Sequence, residues 1–275
     1  MKINGIGERL LFLGCCMLFL FFIACDKEPA KKGDPVVEND QILNGGFEEW
    51  EGSGKEEEPC HWNSFMSAAT SGLTAMGKAQ QVKPSSEVRP GSAGNKSVCI
   101  YARSIIGVIA NGTLTTGQIH MGSTSPGNAN NYNITRSNNA DFHQIVTTCP
   151  DSIRFWVKFK CEDANQLARM SATLHDSCDY RDPETASDAV HVVAKAYREF
   201  STQQGEWVCL TVPFSYQNSG LSPKYMLITF TTNKEAGKGH ATDSLFIDDV
   251  ELIYSDAAKR SQAAWYINQS KIKDK

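Results

Sequence analysis

The chain has 275 residues, a formal net charge of −4 and 41% hydrophobic residues. The weak negative charge excludes the basic surface typical of proteins that bind nucleic acid, and the apolar content is sufficient for a sizeable core. A chain of this length can hold two domains, although a single all-β domain of about 200 residues or more is equally ordinary.

The first 24 residues have the composition of a signal peptide. Lys2 and Arg9 precede an unbroken apolar run, Leu10–Ala24, which is shorter than the ~20 apolar residues that a membrane span needs. The run ends in "FIAC", which resembles a bacterial lipobox, and the resemblance implies that Cys25 becomes the lipid-modified first residue. Several acyl chains on Cys25 would anchor the protein stably. Ordinary cleavage by a signal peptidase is the alternative.

Two segments of different composition flank a central region. Residues 25–40 are charged, contain two prolines and have little apolar content, which is typical of a flexible tether. Residues 256–275 form a basic tail, and either a short helix or disorder is compatible with it. The folded domain is therefore predicted at 41–255, held off the outer membrane by the tether. Whether it faces the cell surface or the periplasm stays open.

Short apolar runs recur along the central region between stretches rich in Gly, Asn and Ser. In Ser152–Lys160 the alternation is clean, with Ile153 and three further apolar residues on one face and Trp156 on the other. Val190–Phe200 fits a helix as well as a strand. Many short strands separated by turn residues predict an all-β fold, a jelly-roll β-sandwich. The predicted strands are Ser97–Arg103, Ser152–Lys160, Ala168–Leu174, Val190–Tyr197, Trp207–Val212, Tyr225–Thr232 and Ser244–Tyr254.

A long stretch, Thr115–Gln144, is rich in Asn, Ser and Gly. A polar loop of this length in a compact sandwich is more often functional or mobile than packed. Six cysteines follow Cys25, and in an exported protein they permit disulfides. Cys99 and Cys209 lie inside apolar strands and are instead expected to be buried thiols. No spacing among the cysteines resembles a zinc site, because C-x2-C is absent.

Seven segments, spread in order over nearly all of residues 41–254, share a resemblance to one family. They are "NGGFEEW" (Asn44–Trp50), "WNSF" (Trp62–Phe65), "TTGQI" (Thr115–Ile119), "CPDSIRFWVKFK" (Cys149–Lys160), "WVCLTVPFSY" (Trp207–Tyr216), "SPKYMLITF" (Ser222–Phe230) and "LFIDDVELIY" (Leu245–Tyr254). Together they resemble the carbohydrate-metabolism domain (PCMD) family of bacterial exported lipoproteins. The resemblance implies a jelly roll similar to galactose-binding-like carbohydrate-binding modules. It also implies a general link to carbohydrate use, without an agreed reaction.

The resemblance further implies a metal site where the two ends of the domain meet. In similar jelly rolls that begin "NGGFE" and end "IDDV", a structural Ca²⁺ often lies between the early Glu and a late Asp, which are here Glu48 and Asp248 or Asp249. Ca²⁺ prefers several carboxylate and carbonyl oxygens. By strand parity Asp248 shares a face with Phe246 and Val250, so it is expected to point inward and Asp249 outward. The alternative is that Asp248 caps a turn or pairs with a Lys or Arg.

Aromatic residues on the predicted strands are candidates for glycan binding, since sugar C–H faces stack on Trp and Tyr rings. Trp156 lies beside Arg154 on the polar face of its strand, where an exposed indole is costly unless it is covered or used. Both are predicted to contact ligand, as are Trp207 and Tyr101. Tyr132 is expected to line a pocket formed by the polar loop. Coverage by packing, or a merely flexible loop, is the alternative.

Catalytic chemistry has no local signature in this sequence. It lacks H-E-x-x-H, G-x-S-x-G and phosphate-loop motifs, and its carboxylates have no setting diagnostic of a glycosidase. We therefore predict a lipid-anchored outer-membrane protein that captures poly- or oligosaccharide for an uptake or degradation system. Other uptake proteins are expected partners, and no organic cofactor is expected. The alternatives are a glycoside hydrolase or lyase that acts in the same groove, and a structural or adhesion module that binds protein.

Overall fold

The computed structural model describes residues 40–255, except 204, 218 and 219 and the side chain of Met76. The predictions for the signal peptide (1–24), for the tether up to residue 39, for lipidation at Cys25 and for the tail (256–275) lie outside the described residues. Within the described part of the chain, no helix has both the length and the apolar character that crossing a membrane requires.

The described chain consists mainly of β-strands, as its short alternating runs predict. Three 3-10 helices, Gly54–Glu56, Gly72–Gly77 and Ala140–Phe142, and a short α-helix, α1 (Ala186–Ala189), lie between them. In chain order the strands are β1 (Trp50–Glu51), β2 (Glu58–Pro59), β3 (Ala69–Thr70), β4 (Val82–Ser85), β5 (Ser97–Tyr101), β6 (Arg103–Ile105), β7 (Val108–Ala110), β8 (Thr113–Thr115), β9 (Gln118–Met121), β10 (Asn131–Ile134), β11 (Gln144–Ile145), β12 (Ser152–Lys160), β13 (Ala168–His175), β14 (Arg181–Asp182), β15 (Val192–Phe200), β16 (Val208–Pro213), β17 (Ser215–Tyr216), β18 (Tyr225–Thr231) and β19 (Ser244–Ile253).

Two large sheets form a sandwich around one core. The five-stranded sheet has the order β16-β12-β19-β5-β4, and the six-stranded sheet has the order β11-β18-β13-β15-β17, with β8 also paired to β18. Side chains from both sheets, such as Phe155 and Phe230, meet in the core. A four-stranded sheet, β14-β10-β9-β3, and the pairs β1-β2 and β6-β7 complete the fold. The predicted all-β sandwich of jelly-roll type is confirmed.

Strand β12 shows how the sequence pattern builds this core. Ile153, Phe155, Val157 and Phe159 are completely buried, whereas the residues between them are half-buried on the outer side. Successive side chains of a strand point to opposite faces, and burying each of these four stabilises the fold by about 1.5–3 kcal/mol. All seven predicted runs contain a strand, and Val190–Phe200 forms strand β15 rather than a helix.

The first and last parts of the domain lie side by side, as predicted. The amide of Val250 donates to the carbonyl oxygen of Gly45 (2.8 Å). The side-chain amide of Gln41 donates to the carbonyl oxygen of Leu252 and accepts from its amide (2.8 and 2.9 Å). A Cβ at Gly45 would lie 2.1 Å from the Val250 carbonyl oxygen, so only glycine allows this approach. Phe47 is completely buried in the same core.

A bulge in β19 makes the predicted parity of Asp248 wrong. The pairing shifts by one residue between Arg154 and Trp156, so two residues of β19 oppose one residue of β12. Asp249 takes a left-handed φ of 45° at this point, as residues in bulges often do. Asp248 therefore lies on the outer side with Trp156, while Val250 points into the core. Asp248 is nevertheless completely buried, so the predicted need for polar partners holds.

The four-stranded sheet packs on the outer side of the six-stranded sheet. Every residue of β18 is buried, including Leu227 on the side away from the core. Gly117 allows the two sheets to approach, because a Cβ there would lie 2.5 Å from both the Ile134 carbonyl oxygen and the Leu227 side chain. Burial beneath this sheet lowers the pKa of His175 to about 4, which keeps its imidazole neutral.

The prediction of one long polar loop over Thr115–Gln144 is wrong. Strands β9, β10 and β11 and a 3-10 helix lie in this stretch, and the remaining long loop spans only 122–130. The side chain of Asn131 explains how polar residues enter a strand here, since it accepts from the amide of Ser123 (3.0 Å) and donates to the carbonyl oxygen of Ser125 (2.7 Å). These two hydrogen bonds connect the loop 122–130 to the start of β10.

Five cysteines in the described part of the chain carry free thiols, namely Cys60, Cys99, Cys149, Cys178 and Cys209. Cys99 is buried as predicted, and desolvation raises its pKa to about 11. Cys209 is exposed instead, because it lies opposite Trp156 on the outer side of the five-stranded sheet. The apolar run around Cys209 was a poor guide to its burial, since β16 is an edge strand of that sheet.

Candidate functional site

A groove with a volume of about 910 Å³ opens beside the four-stranded sheet. Its walls come from that sheet, from the β6-β7 hairpin, from the loop 122–130, and from the adjoining ends of β8 and β18. The volume lies within the range of roughly 300–1,000 Å³ that is typical of ligand sites. We refer to this cavity as the groove.

The β6-β7 hairpin gives the groove an apolar rim. Its two-residue turn places Ile106 and Gly107 at φ values of 50° and 76°, a conformation that matches the twist of a hairpin but is rare for a β-branched residue. Ile106 is 77% exposed, and Leu73, which also lines the groove, is 74% exposed. Such side chains offer apolar contact surface at the entrance.

Three planar side chains form a row along the four-stranded sheet. His120 pairs with Tyr132 across β9 and β10, and their rings stack with centroids 4.5 Å apart and an angle of 11°. The guanidinium carbon of Arg181, on β14, lies 4.7 Å from the centroid of the Tyr132 ring. Nδ1 of His120 donates to the carbonyl oxygen of Asn130 (3.0 Å), which fixes the imidazole. All three residues line the groove.

Two carboxylates lie in the groove close to this row. Asp182 pairs with Arg169 (3.6 Å) and accepts a hydrogen bond from Ser171 (2.9 Å). Glu184 pairs with Lys195 (2.6 Å) and accepts from the hydroxyl of Tyr180. Each carboxylate therefore has a cation beside it, and its oxygens can accept further hydrogen bonds from ligand hydroxyls.

Three side-chain atoms of groove-lining residues have no hydrogen-bond partner within the described protein. These are the side-chain oxygen of Asn111 and the Nε atoms of Arg169 and Arg181. The Asn111 side chain is held in place by its amide nitrogen, which donates to the carbonyl oxygens of Asn233 (3.3 Å) and Glu235 (2.9 Å). Buried polar groups are normally paired. These atoms have almost no solvent-accessible surface, so a small rearrangement of neighbouring side chains would be needed for them to bond to a ligand.

Four of the five predicted ligand residues lie elsewhere. They share the outer side of the five-stranded sheet, which we call the five-stranded face, and none of them lines the groove. The four residues are Trp156, Trp207, Tyr101 and Arg154. The fifth, Tyr132, is in the groove, but it belongs to strand β10 rather than to the loop expected from the sequence.

The aromatic rings of the five-stranded face already have partners. The guanidinium carbon of Arg89 lies 5.4 Å from the Trp156 ring centroid, and the ammonium group of Lys83 lies 5.7 Å from that of Tyr101. Trp207 packs edge-on against Phe246 (6.5 Å). These contacts cover part of each ring, and the predicted contact of these residues with ligand stays a prediction.

Polar groups of the five-stranded face are also paired. Arg154 forms an ion pair with Glu251 (2.8 Å), and Lys158 and Lys160 both contact Glu87 (2.6 and 3.4 Å). Within each pair, the opposite charges neutralise each other at an open sheet surface. The five-stranded face therefore carries charged and aromatic side chains that already have partners within the protein.

The three predicted metal ligands have protein partners as well. Glu48 accepts hydrogen bonds from the amides of Asn95 and Lys96 (both 2.9 Å). Arg89 contacts both aspartates, because its amide donates to Asp248 (3.1 Å) and its guanidinium pairs with Asp249. Arg89 thus supplies positive charge of the kind that calcium was expected to supply, and the calcium site stays a prediction.

Burial raises the pKa of Asp248 to about 6. The neighbouring carboxylate of Asp249 adds to this effect, whereas hydrogen bonds from the amides of Arg89 and Asp249 oppose it. A carboxyl group with this pKa is protonated for part of the time in mildly acidic solution, so the five-stranded face contains a group that titrates between pH 4 and 7.

The sequence predicted only one residue of the groove and missed most of its polar lining. His120 lies in "QIHM" (Gln118–Met121) and Tyr132 in "NYNI" (Asn131–Ile134). Both segments alternate polar and apolar residues, which is a weak signal of strand structure. Four residues are too few for this signal to stand out, and the pairing of Tyr132 with His120 depends on contacts that only the folded chain makes.

Comparison with known proteins supports the fold. No family model matches the sequence, and no curated protein matches it. A Bacteroides thetaiotaomicron protein, provisionally described as a glycoside hydrolase, is similar in structure with a TM-score of 0.57 and 19% sequence identity, over 80% of this chain and 72% of that one. At this identity the similarity shows a shared fold.

Two further solved structures are more distant. A Bacteroides vulgatus protein with the same provisional description has a TM-score of 0.46 and 16% identity, over 64% of this chain and 78% of that one. TmCBM61, solved in complex with β-1,4-galactotriose, has a TM-score of 0.36 and 13% identity, over 79% of this chain and 99% of that one. These two values are too low to support an argument about function.

Proposed function

We propose that this protein binds a poly- or oligosaccharide in the groove. The observation on which the proposal rests is the row of His120, Tyr132 and Arg181 along a groove of about 910 Å³ that also holds carboxylates and unpartnered polar atoms. Sugars present apolar C–H faces and a rim of hydroxyls, so they need aromatic surface and hydrogen-bonding groups together.

Fixed groups in the groove favour this ligand class. The Asn111 oxygen and the Asp182 carboxylate can accept from hydroxyl groups, while Arg169 can donate to them. Because each of these side chains is already held by protein contacts, little side-chain freedom would be lost on binding. Preorganised sites of this kind bind more tightly than mobile ones.

Anchoring is the second part of the proposal. The apolar run and the lipobox-like "FIAC" support lipidation at Cys25, and the charged segment that follows supports a tether. In this arrangement the protein captures glycan at the outer membrane and passes it to an uptake or degradation system. Growth with labelled palmitate would label the wild-type chain and leave a Cys25→Ala variant unlabelled.

The binding test starts with a glycan array and continues with calorimetry on the glycan that gives a signal. A Tyr132→Ala variant is expected to bind at least about tenfold more weakly, because an aromatic contact contributes on the order of 1.4 kcal/mol. A Trp156→Ala variant, which alters the five-stranded face, is the matched control and should keep wild-type affinity. The reverse result would move the binding site to the five-stranded face.

A hydrolase or lyase is the second candidate, because Asp182 and Glu184 both lie in the groove and most glycosidases use two carboxylates. Incubation with the glycan found on the array should then release new reducing ends or unsaturated products. Asp182→Asn or Glu184→Gln would abolish the release. Binding without products supports capture alone, and the absence of any glycan signal would favour a module that binds protein.

A further inference from the structure

Three chemically different side chains meet at one end of the strand pair β13-β15, outside the groove. Asp176 directly follows β13, Cys178 lies two residues later, and His191 directly precedes β15. The amide of Asp176 donates to the carbonyl oxygen of His191 (3.1 Å), so the backbone brings the first and last of these residues together.

The ligand atoms of this cluster are already close to one another. Each residue offers one ligand atom: a carboxylate oxygen of Asp176, the sulfur of Cys178 and a ring nitrogen of His191. These three atoms all lie within 4.8 Å of one another. Nδ1 of His191 lies 2.9 Å from Oδ2 of Asp176, and the amide of Cys178 donates to Oδ1 of the same carboxylate (2.9 Å). This second bond holds the carboxylate in position from within the turn.

The spacing suits a tetrahedral metal ion. Bonds of about 2.0–2.3 Å from zinc to oxygen, nitrogen and sulfur place neighbouring ligand atoms roughly 3.3–3.8 Å apart. The three side chains would need only small side-chain rotations to reach such separations. Asp176 and His191 are half-buried and Cys178 is exposed, so an ion can enter from solvent while two of its ligands are held by the protein.

The ligand types select a particular class of metal. A thiolate, a carboxylate and a neutral imidazole together carry two negative charges, which a divalent cation neutralises. Sulfur and nitrogen ligands favour zinc and similar transition metals, whereas calcium and magnesium prefer sites made only of oxygen. This cluster therefore differs in ligand type from the predicted calcium site at Glu48, Asp248 and Asp249.

We propose that Asp176, Cys178 and His191 bind one zinc ion or a similar divalent transition metal ion, with a fourth position open to water or to an external ligand. The thiol of Cys178 releases one proton to solvent when its sulfur binds the ion. No sequence motif indicates this site, because the cysteines lack the paired spacing of zinc ribbons and His191 lies thirteen residues after Cys178.

A metal ion bound at this cluster would also affect the segment that supplies residues to the groove. The segment between Cys178 and His191 contains β14 and supplies Arg181, Asp182 and Glu184 to the groove. A metal ion would join both ends of this segment, which reduces its freedom to open. The metal site does not depend on what the groove binds, so either proposal can fail alone.

The experiment titrates the full-length reduced protein with Zn²⁺ by calorimetry. One equivalent should bind, and excess Ca²⁺ or Mg²⁺ should not compete. Cys178→Ser and His191→Gln are each expected to weaken binding at least about tenfold, since even outer-shell changes at metal sites cost 10–100-fold. Cobalt(II) gives a second readout, because a cobalt–thiolate bond produces intense near-ultraviolet absorption that Cys178→Ser should abolish.

Cys209→Ser is the matched control, because Cys209 is also an exposed free thiol but lies outside the cluster. It should retain both the zinc affinity and the cobalt absorption. Thermal melting in the absence of metal checks that each variant is folded, and substitution of the exposed Cys178 is expected to leave the fold intact. A protein that takes up no zinc, or a cobalt–thiolate band that persists in Cys178→Ser, would overturn the proposal.

Discussion

The groove and the five-stranded face both combine aromatic rings with cations that contact them, but they differ in shape, because the groove is concave and the five-stranded face is an open sheet surface. On the five-stranded face, cations contact the rings of Trp156, Tyr101 and Phe246, and other ion pairs are formed with Glu87 and Glu251. In the groove, the row that contains Tyr132 borders a concave space whose wall includes unpartnered polar atoms. Aromatic residues on an open strand face can thus stabilise a sheet surface, whereas a binding site needs concavity and unused hydrogen-bonding capacity.

The largest effect is expected from a substitution that disturbs the sheet beside the groove and does not touch the five-stranded face. Gly117→Ala would place a Cβ 2.5 Å from both the Ile134 carbonyl oxygen and Leu227, forcing the four-stranded sheet away from β18. We expect a loss of about 1–3 kcal/mol in the free energy of unfolding and loss of glycan binding in calorimetry. Gly127→Ala is the control for the unfolding measurement, since its Cβ would meet no atom within 4 Å. An equal loss of stability in both variants would contradict the role given to this contact.

The second-largest expected effect is a pH dependence of the free energy of unfolding, caused by Asp248 on the five-stranded face. Since the folded pKa of Asp248, about 6, lies above its ordinary value of 3.8, the folded state holds this proton more tightly than the unfolded state. Stability from this group is therefore greatest below pH 4 and declines by about 2 kcal/mol as the pH rises towards 7. Buried His175, whose folded pKa of about 4 lies below its ordinary value of 6.5, contributes an opposite slope over the same range. The measured quantity is therefore the wild-type free energy of unfolding minus that of Asp248→Asn, and this difference should decline from pH 4 to 7. An unchanged slope in the variant would assign the pH dependence to other groups.

A third comparison sets one ion pair from each region against the other. The side chains of Arg169 and Asp182 are 18% and 21% exposed, whereas those of Arg154 and Glu251 are 43% and 41% exposed. Asp182→Asn should cost about 1–2 kcal/mol in the free energy of unfolding, because it leaves a largely buried guanidinium without its carboxylate. Glu251→Gln should cost less than about 1 kcal/mol. Denaturant unfolding of both variants measures the difference, and a larger cost for Glu251→Gln would reverse the comparison.

The smallest expected effect tests the calcium prediction at Glu48, Asp248 and Asp249. Because Arg89 already contacts both aspartates, added Ca²⁺ should raise the Tm only slightly, with a gain of about 0.4 kcal/mol when its concentration equals the dissociation constant. An Arg89→Gln variant should respond more strongly, since the competing cation is gone. If neither Ca²⁺ nor a chelator changes the Tm of either protein, the calcium site does not exist.

Regular alternation made much of the sandwich predictable. The pattern in Ser152–Lys160 has one periodicity throughout, and the structure follows it residue by residue. The same reasoning went wrong in Ser244–Tyr254, because a single bulge at Asp249 reverses the parity of everything before it relative to everything after it. Parity arguments therefore hold only within an uninterrupted strand.

The groove was harder to predict because its parts are short and distant in sequence. Tyr132, His120 and Arg181 come from three strands of four, four and two residues. None of these strands has enough residues for a periodic signal, and each depends on pairing with its neighbours in the four-stranded sheet. The large aromatic residues in longer, more regular strands attracted the prediction instead.

The neighbouring positions of the first and last described residues have a further consequence. The hydroxyl of Tyr254 donates to the carbonyl oxygen of Asp40 (3.0 Å), so entry to and exit from the domain occur at one point on its surface. A domain built in this way can be inserted into a surface loop of another protein without stretching its host, and a circular permutant that joins these two ends needs only a short linker.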